Sequence, residues 1–175
     1  MEIIDVKIIF VSSGYVPGKT GVLNRLTKKG NFHESSLSTF GIDKDIIIYE
    51  YITINYKFIF FDTGGQDRFK SLAYKKLEKF DIITYLFDLS EYKKYDEDYI
   101  KRMRMEKIDK KLIYLVGNKL DIGYENVQKY RKKAKKLIDR GLINKYFEIS
   151  AKRNEGIDEL FNFWKLIVFS KNKKN

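Results

Sequence analysis

The residues best suited to phosphate chemistry follow the first apolar run of the chain. Gly18, Lys19 and Thr20 stand at the start of a helix-like stretch. A helix N-terminus presents free N–H groups, a glycine lets the backbone approach a phosphate, and a lysine supplies positive charge for β- and γ-phosphates. The Thr20 hydroxyl can also bind Mg²⁺. The predicted nucleotide contacts in this loop are Gly14, Tyr15, Val16, Pro17, Gly18, Lys19 and Thr20.

Two later segments supply groups for a metal ion and for hydrolysis. Asp62 follows an apolar run and can hold the Mg²⁺ shell, usually through water. Gly65 can donate its N–H to a γ-phosphate, and Gln66 can orient an attacking water. Thr39, between the first helix and the next strand, can complete the Mg²⁺ shell and hold the γ-phosphate. The predicted metal ligands are Thr20, Thr39 and Asp62, and the predicted catalytic residues are Gln66, Lys19 and Thr39.

Polar residues after the last two strand-like runs could recognise a guanine base. Asp121 can accept hydrogen bonds from the N1–H and N2–H₂ groups of guanine, a pattern that adenine cannot offer. Asn118 can link the phosphate loop to this loop, and the stem of Lys119 can cover the base. The Ala151 N–H can donate to guanine O6. The predicted base contacts are Asn118, Lys119, Asp121, Ser150, Ala151 and Lys152.

Strands and helices must alternate to bring these residues together. Apolar runs typical of strands cover residues 6–11, 46–54, 58–61, 82–87, 112–116 and 146–149. Longer stretches with helical period separate several of them, which predicts an α/β domain with mostly parallel strands. Asn55 and Tyr56 stand between the second run and the third, so we interpret these runs as a hairpin that adds one antiparallel strand.

Two helices are predicted from apolar residues at helical spacing. The last helix has an apolar face made of Ile157, Leu160, Phe161, Trp164, Ile167 and Val168. The preceding helix has an apolar face made of Val127, Tyr130, Ala134, Leu137 and Ile138. Its opposite side, interpreted as a solvated face, carries Lys129, Lys132, Lys133 and Lys136. Residues 95–108 are helix-like, with a poorer pattern.

Length and composition narrow the class of protein. The chain has 175 residues, one proline and no cysteine, which predicts a single domain over residues 1–175 without disulfides or thiolate metal sites. No apolar run is long enough to span a bilayer, and the N-terminus lacks a signal-peptide pattern, so a cytoplasmic protein is expected. The net charge of +11 comes from 35 basic and 24 acidic residues spread along the chain. We interpret it as a solvated basic surface rather than a nucleic-acid or membrane site.

The residue types and order of these sites resemble those of a known protein family over essentially the whole chain. The sequence resembles the Ras-like small GTPases, and within them it is most similar to the Rab proteins. The Rab-like segments are residues 40–43, 67–72 and 86–90. The resemblance implies an α/β P-loop GTPase fold. Its expected form is a six-stranded mixed sheet with one antiparallel strand, about five helices on both faces, and the nucleotide at the carboxyl ends of the strands.

The resemblance also implies a ligand and partners. GTP or GDP would bind with Mg²⁺, and Phe32 would lie over the edge of guanine, with a hydrophobic loop anchor as the alternative. Residues 31–43 and 64–74 would be mobile segments that order around the γ-phosphate. An exchange factor, a GTPase-activating protein and effectors would bind through these two segments. His33, beside Phe32, is interpreted as a surface residue.

The phosphate loop departs from the pattern of that family. Ser13 replaces a glycine, and Tyr15, Val16 and Pro17 replace small residues. Pro17 has no N–H, and the β-branched Val16 does not easily take a positive φ, so the loop backbone is expected to follow a different path. The aromatic patch that Rab proteins present to effectors is changed as well, which predicts changed partners. Its positions here are Lys44, Phe61 and Lys76.

Two functions remain open from the sequence. One is a monomeric Rab-like GTP/GDP switch in membrane traffic with slow Mg²⁺-dependent hydrolysis, which Gln66 and Thr39 favour. The other is a hydrolysis-poor decoy or scaffold for Rab regulators or effectors, which the bulky loop favours. The basic tail from about residue 170 also favours the decoy, because it offers no cysteine for lipidation. Peripheral binding to the cytosolic face of a membrane is left open, no nucleic-acid partner is expected, and Asp121 argues against an ATP-dependent phosphotransferase.

Overall fold

The structure, a computed structural model, describes residues 2–12, 17–28, 42–51, 54–63, 77–91, 96–105 and 111–172. The strands are β1 (Glu2–Val11), β2 (Ile42–Tyr51), β3 (Ile54–Thr63), β4 (Ile82–Asp88), β5 (Leu112–Asn118) and β6 (Lys145–Glu148). The helices are α1 (Lys19–Lys28), α2 (Glu97–Met105), α3 (Leu120–Gly123), α4 (Val127–Asp139) and α5 (Ile157–Asn172). Short 3₁₀ turns lie at Leu77–Lys79 and Tyr124–Asn126.

The strands form one sheet in the order β2-β3-β1-β4-β5-β6. β2 pairs with β3 in antiparallel fashion, and the other pairings are parallel. All seven residues of β4 are buried, as expected for a parallel strand with helices on both faces of its sheet. The predicted six-stranded mixed sheet is therefore confirmed. Four longer helices and the single turn α3 lie within the described ranges, close to the predicted number.

The boundary between β2 and β3 differs from the predicted one. β2 ends at Tyr51, which pairs with Ile54 at the start of β3, so Asn55 and Tyr56, predicted to separate the two strands, lie inside β3. This boundary was predicted wrongly because the sequence has no glycine, proline or asparagine between Tyr51 and Ile54: the two residues there are an isoleucine and a threonine, types that are common in strands.

Helices cover both faces of the sheet and bury the apolar sides predicted for them. On one face α1 and α5 pack around Trp164, which is fully buried with its ring centroid 6.0 Å from that of Phe10. On the other face α2 and α4 pack, and the rings of Tyr130 and Phe87 lie 4.6 Å apart. Ile138, predicted to be buried, is 39% exposed because it lies at the border of the buried stripe in the last turn of α4.

The segment 95–108, interpreted as helix-like, contains the shorter helix α2. Its buried residues are Tyr99, Ile100 and Met103, at helical spacing. Within the ranges given above, no helix is both long and apolar enough to cross a membrane.

The carboxyl ends of the parallel strands meet at one edge of the sheet. Ser12 follows β1, Asp62 lies near the end of β3, Asp88 ends β4 and Asn118 ends β5. The residue pairs Phe10–Asp62 and Asp88–Asn118 show that these ends are level across the sheet. Ligands of open α/β sheets bind at this edge, so the fold brings together polar residues that are far apart in the sequence.

Candidate functional site

The site begins where the chain enters α1. Gly18 has a φ of +83°, in the left-handed region that favours glycine, and its carbonyl accepts the Val22 N–H to start the helix. A Cβ at this position would lie 2.6 Å from Nδ2 of Asn118. Glycine therefore permits both the turn and the close approach of Asn118, and it places Lys19 and Thr20 in the first turn of α1.

Lys19 carries a buried ammonium group at this helix start. Its Nζ donates to Ser12 Oγ at 3.0 Å, and the residue is 7% exposed. Burial lowers the pKa of Lys19, and the negative charge of Asp62 partly opposes that shift. A buried charge is costly unless it is compensated, so an anionic ligand would stabilise this ammonium.

Thr20 and Asp62 bring a hydroxyl and a carboxylate together beside Lys19. Thr20 Oγ1 donates to Asp62 Oδ2 at 2.9 Å, and Asp62 is 6% exposed. Mg²⁺ takes oxygen ligands and is usually bound by one or two carboxylates together with substrate phosphates. The residues present therefore fit a magnesium ion that is shared with a phosphate on Lys19.

Asn118 connects three segments of the site. Its Nδ2 donates to the Pro17 carbonyl at 2.8 Å, and its Oδ1 accepts the Ala151 N–H at 3.0 Å. Asn118 is 2% exposed, so both bonds are shielded from water. The end of β5 is thereby joined to the phosphate loop and to the loop after β6. The Ala151 N–H, predicted to donate to guanine O6, donates to Asn118 here.

Asp121 is held by the loop that follows β6. The Ser150 hydroxyl donates to Asp121 Oδ1 at 2.6 Å, and Ser150 is fully buried. This hydrogen bond is the main cause that lowers the pKa of Asp121. The carboxylate is therefore ionised at neutral pH and can only accept hydrogen bonds. The structure thus brings together Asp121 and Ser150, two residues predicted to lie at one base site.

Lys119 has a left-handed backbone conformation, and its side chain pairs with a carboxylate at the end of β4, the strand beside β5. Its φ is 64°, and its ammonium forms an ion pair with Asp88, whose side chain is 6% exposed. Asp88 Oδ1 also accepts the N–H and the hydroxyl of Ser90, at 2.9 and 2.6 Å. Burial opposes ionisation of Asp88, but the hydrogen bonds from Lys119 and Ser90 outweigh it and lower the pKa.

Asp88 was not among the predicted site residues, although the sequence carries a signal for it. It follows a mostly apolar run, as Asp62 and Asn118 follow theirs. Parallel strands end at one edge of the sheet, so a polar residue at the end of β4 is expected there too.

Arg25 is a second residue that sequence reasoning missed. Its Nε donates to the Ala151 carbonyl at 2.9 Å and its Nη2 donates to the Lys152 carbonyl at 3.1 Å. Gly21, one turn earlier on α1, also faces this loop, since a Cβ there would be in ordinary van der Waals contact with that of Ala151, at 3.7 Å. No spacing in the sequence indicates this contact, because 126 residues separate Arg25 from Ala151.

Several predicted site residues lie outside the described ranges. They are Gly14, Tyr15, Val16, Phe32, Thr39, Gly65 and Gln66. The two segments expected to be mobile fall almost entirely there as well. Of the three positions predicted to face effectors, only the Phe61 side chain is described. It is half-buried, with its ring 5.0 Å from that of Phe80.

The described residues form two chemically different ends of one site. Lys19, Thr20 and Asp62 at one end suit a phosphate with a divalent cation. Asp121 at the other end suits a group that presents two hydrogen-bond donors. Asn118 joins the two ends through its side-chain amide.

Comparison with known proteins agrees with this arrangement. A model of the Ras family matches residues 7–168 of the chain. The chain is 32% identical to Ras-related protein RABG1 of Arabidopsis thaliana over 173 residues, which cover 92% of this chain and 81% of that protein. It is 33% identical to Rab-12 of Homo sapiens over 162 residues, 89% of this chain but 63% of Rab-12. The chain therefore belongs to the Ras family of small GTPases and is Rab-like.

Proposed function

We propose that this chain is a molecular switch that binds GTP or GDP with Mg²⁺ and hydrolyses GTP slowly. The observation that supports this most strongly is the pair of bonds made by Asn118, to Pro17 and to Ala151. One buried side chain thereby joins a phosphate site to a base site. A ligand with a base at one end and phosphates at the other suits this layout.

Guanine is the base that suits the residues around Asp121. An ionised carboxylate accepts from both N1–H and N2–H₂ of guanine, whereas adenine would leave it facing an unprotonated ring nitrogen. A desolvated polar group without a partner rejects the wrong ligand strongly. The stem of Lys119, the loop around Lys152 and the Phe32 ring would cover the base. The mismatch between the Asp121 carboxylate and adenine disfavours an ATP-dependent phosphotransferase.

The phosphate end would stabilise charge during hydrolysis. Lys19 would contact the β- and γ-phosphates, and Thr20, Thr39 and Asp62 would hold the metal. When bound, Mg²⁺ would neutralise charge on the β- and γ-phosphate oxygens. Gln66 would orient the attacking water. The Gly65 N–H would bind the γ-phosphate.

The composition of the phosphate loop supports slow hydrolysis. Pro17 lacks an N–H that could face the β-phosphate, and its carbonyl is taken by Asn118. Val16 restricts the backbone, and Tyr15 adds a ring where the family has small residues. Pro17 would remove a hydrogen-bond donor, Val16 would limit the backbone conformations of the loop, and Tyr15 would reduce the space around the transferred phosphate.

We further propose a role for the switch in vesicle traffic. It would bind its exchange factor, activating protein and effectors through the segments 31–43 and 64–74, act as a monomer, and work at the cytosolic face of a membrane. This part of the proposal rests on similarity to Rab proteins over 89–92% of the chain.

Identification of the bound nucleotide tests the assignment. The protein is purified in Mg²⁺, denatured to release its ligand, and the ligand is resolved by anion exchange. GDP or GTP in near-equimolar amount is expected, and chelation of Mg²⁺ should speed its release. Equal binding of ATP and GTP would overturn the proposal.

A GTP-binding decoy for Rab regulators or effectors is the second candidate, favoured by the bulky Tyr15 and Val16 in the phosphate loop. Single-turnover hydrolysis of GTP separates it from the switch. A switch shows measurable hydrolysis that is slowed by Gln66→Leu while nucleotide affinity is retained. If the rate is at background and Gln66→Leu does not change it, the decoy is the correct function.

A further inference from the structure

Arg25 contacts two successive peptide groups beside the base site. Its guanidinium bonds to two successive carbonyl groups, those of Ala151 and Lys152, at 2.9 and 3.1 Å. An arginine fork can donate to two acceptors in a fixed geometry. Both carbonyls therefore point toward α1, the helix that carries Arg25.

The direction of these carbonyls determines the direction of the neighbouring N–H groups. No peptide bond within the described ranges is cis, and in a trans peptide the C=O and N–H groups point in opposite directions. Because the Ala151 carbonyl points to Arg25, the Lys152 N–H in the same peptide points away from α1.

The partners of the neighbouring N–H groups show which residues lie on the side of the loop that faces away from α1. The Ala151 N–H donates to Asn118 Oδ1, and the Arg153 N–H donates to Ser150 Oγ, which itself donates to Asp121. The Lys152 N–H makes no hydrogen bond to any described part of the chain. It is a donor on the base side of the loop, next to one that Asn118 already uses.

We propose that Arg25 is a positioning residue for guanine recognition. By holding the carbonyls of Ala151 and Lys152 against α1, it presents the Lys152 N–H to guanine O6. The same helix carries Lys19 and Thr20 in its first turn, so α1 would align the base and the phosphates together. This inference rests on the proposed function, since it requires a guanine nucleotide in the site.

The test compares two arginines that make the same kind of contact in different places. Arg104 donates to the Leu142 carbonyl at 3.0 Å and to the Lys111 carbonyl at 2.9 Å, near the amino ends of β6 and β5, at the opposite edge of the sheet. Arg104 also donates to Asn144 Oδ1 at 2.9 Å, so Arg104→Met removes two bonds of the kind that Arg25→Met removes and one more. Dissociation constants are measured for GDP and for 6-thio-GDP, in which a sulfur, a weaker acceptor, replaces O6. Melting temperatures of the nucleotide-free proteins are measured in parallel.

The unmodified protein should bind GDP roughly tenfold more tightly than 6-thio-GDP, the effect of about one hydrogen bond. Arg25→Met should weaken GDP binding by a similar factor and remove most of this preference for oxygen. Arg104→Met should lower the melting temperature and keep the preference. Arg25→Lys retains one donor group and the charge, so its preference for GDP over 6-thio-GDP should lie between those of the unmodified protein and Arg25→Met. It replaces Arg25→Met in the test if that variant does not fold.

An unchanged preference for GDP over 6-thio-GDP in the folded Arg25 variants would overturn the role of Arg25 and leave the proposed function intact. Failure of the unmodified protein to bind either nucleotide would overturn the proposed function, and this inference with it.

Discussion

Thr20 and Asp62 are 42 residues apart in the chain, yet Oγ1 of one lies 2.9 Å from Oδ2 of the other. The contact arises because β1 and β3 are parallel neighbours, and Asp62 pairs with Phe10 just before the chain turns into α1. A hydroxyl and a carboxylate meet where the buried Lys19 ammonium also lies. The pair is the strongest structural reason to expect dependence on Mg²⁺.

Thr20→Asn should weaken GTP binding more than GDP binding, because the triphosphate depends more on the metal. We expect the ratio of GTP affinity to GDP affinity to fall by about tenfold to 100-fold, the range typical of substitutions around a metal site. Titration with fluorescent GTP and GDP analogues measures it, and Thr20→Ser, which keeps the hydroxyl, is the control. An unchanged ratio would show that Thr20 is not a ligand.

Asp121→Asn should weaken GTP binding by about 100-fold or more and shift preference toward xanthosine nucleotides, because the amide inverts the hydrogen-bond pattern. Competition between GTP and XTP measures this change. Asp139→Asn, a change of the same kind at an exposed position on α4, should alter neither affinity. Retained guanine preference in the Asp121 variant would contradict the assignment.

Asp88→Asn should destabilise the protein and speed nucleotide release, because Lys119 loses its buried partner. The pKa of Asp88 is lower in the folded protein than its unfolded value, about 3.9. Its contribution is therefore complete above that value and is lost as the pH falls through the folded pKa. We expect a difference of about 1–2 kcal/mol in the free energy of unfolding at neutral pH.

Urea unfolding between pH 3 and pH 7 checks the Asp88 prediction, and the difference should narrow below about pH 4. The control is Asp98→Asn, which removes an exposed ion pair with Lys101 and should have little effect. A difference between the Asp88 variant and the unmodified protein that stays constant with pH would exclude the ionised carboxylate as its source.

Tyr15→Ser should restore the response to an activating protein that inserts an arginine. Such an arginine accelerates this class of reaction by roughly 10³–10⁵-fold. The Tyr15 ring is expected to occupy the space that the arginine needs. Stimulated single-turnover rates of the two proteins are compared, with Tyr15→Gly as a second variant. Equal, strong stimulation of the unmodified protein would mean that the ring points to solvent.

The parts of the fold that the sequence predicts correctly depend on local patterns. Trp164 and Tyr130 stand on apolar helix faces, and both are buried in the structure as predicted. β4 and β5 read as apolar runs because both faces of a parallel strand are covered. The hairpin was misplaced, and Ile138 is exposed, because composition does not mark where a strand stops or how far a helix contacts the sheet.

The sequence by itself determined the family, the alternation of strands and helices, and the candidate ligand groups, because each depends on short segments with a recognisable order. Only the tertiary structure decided which groups meet. Asp88 reaches Lys119, and Arg25 reaches the carbonyls of Ala151 and Lys152. These contacts join segments that are distant in the chain. Their geometry depends on how parallel strands align at one edge and how close α1 packs to the last loop, and no local pattern encodes either.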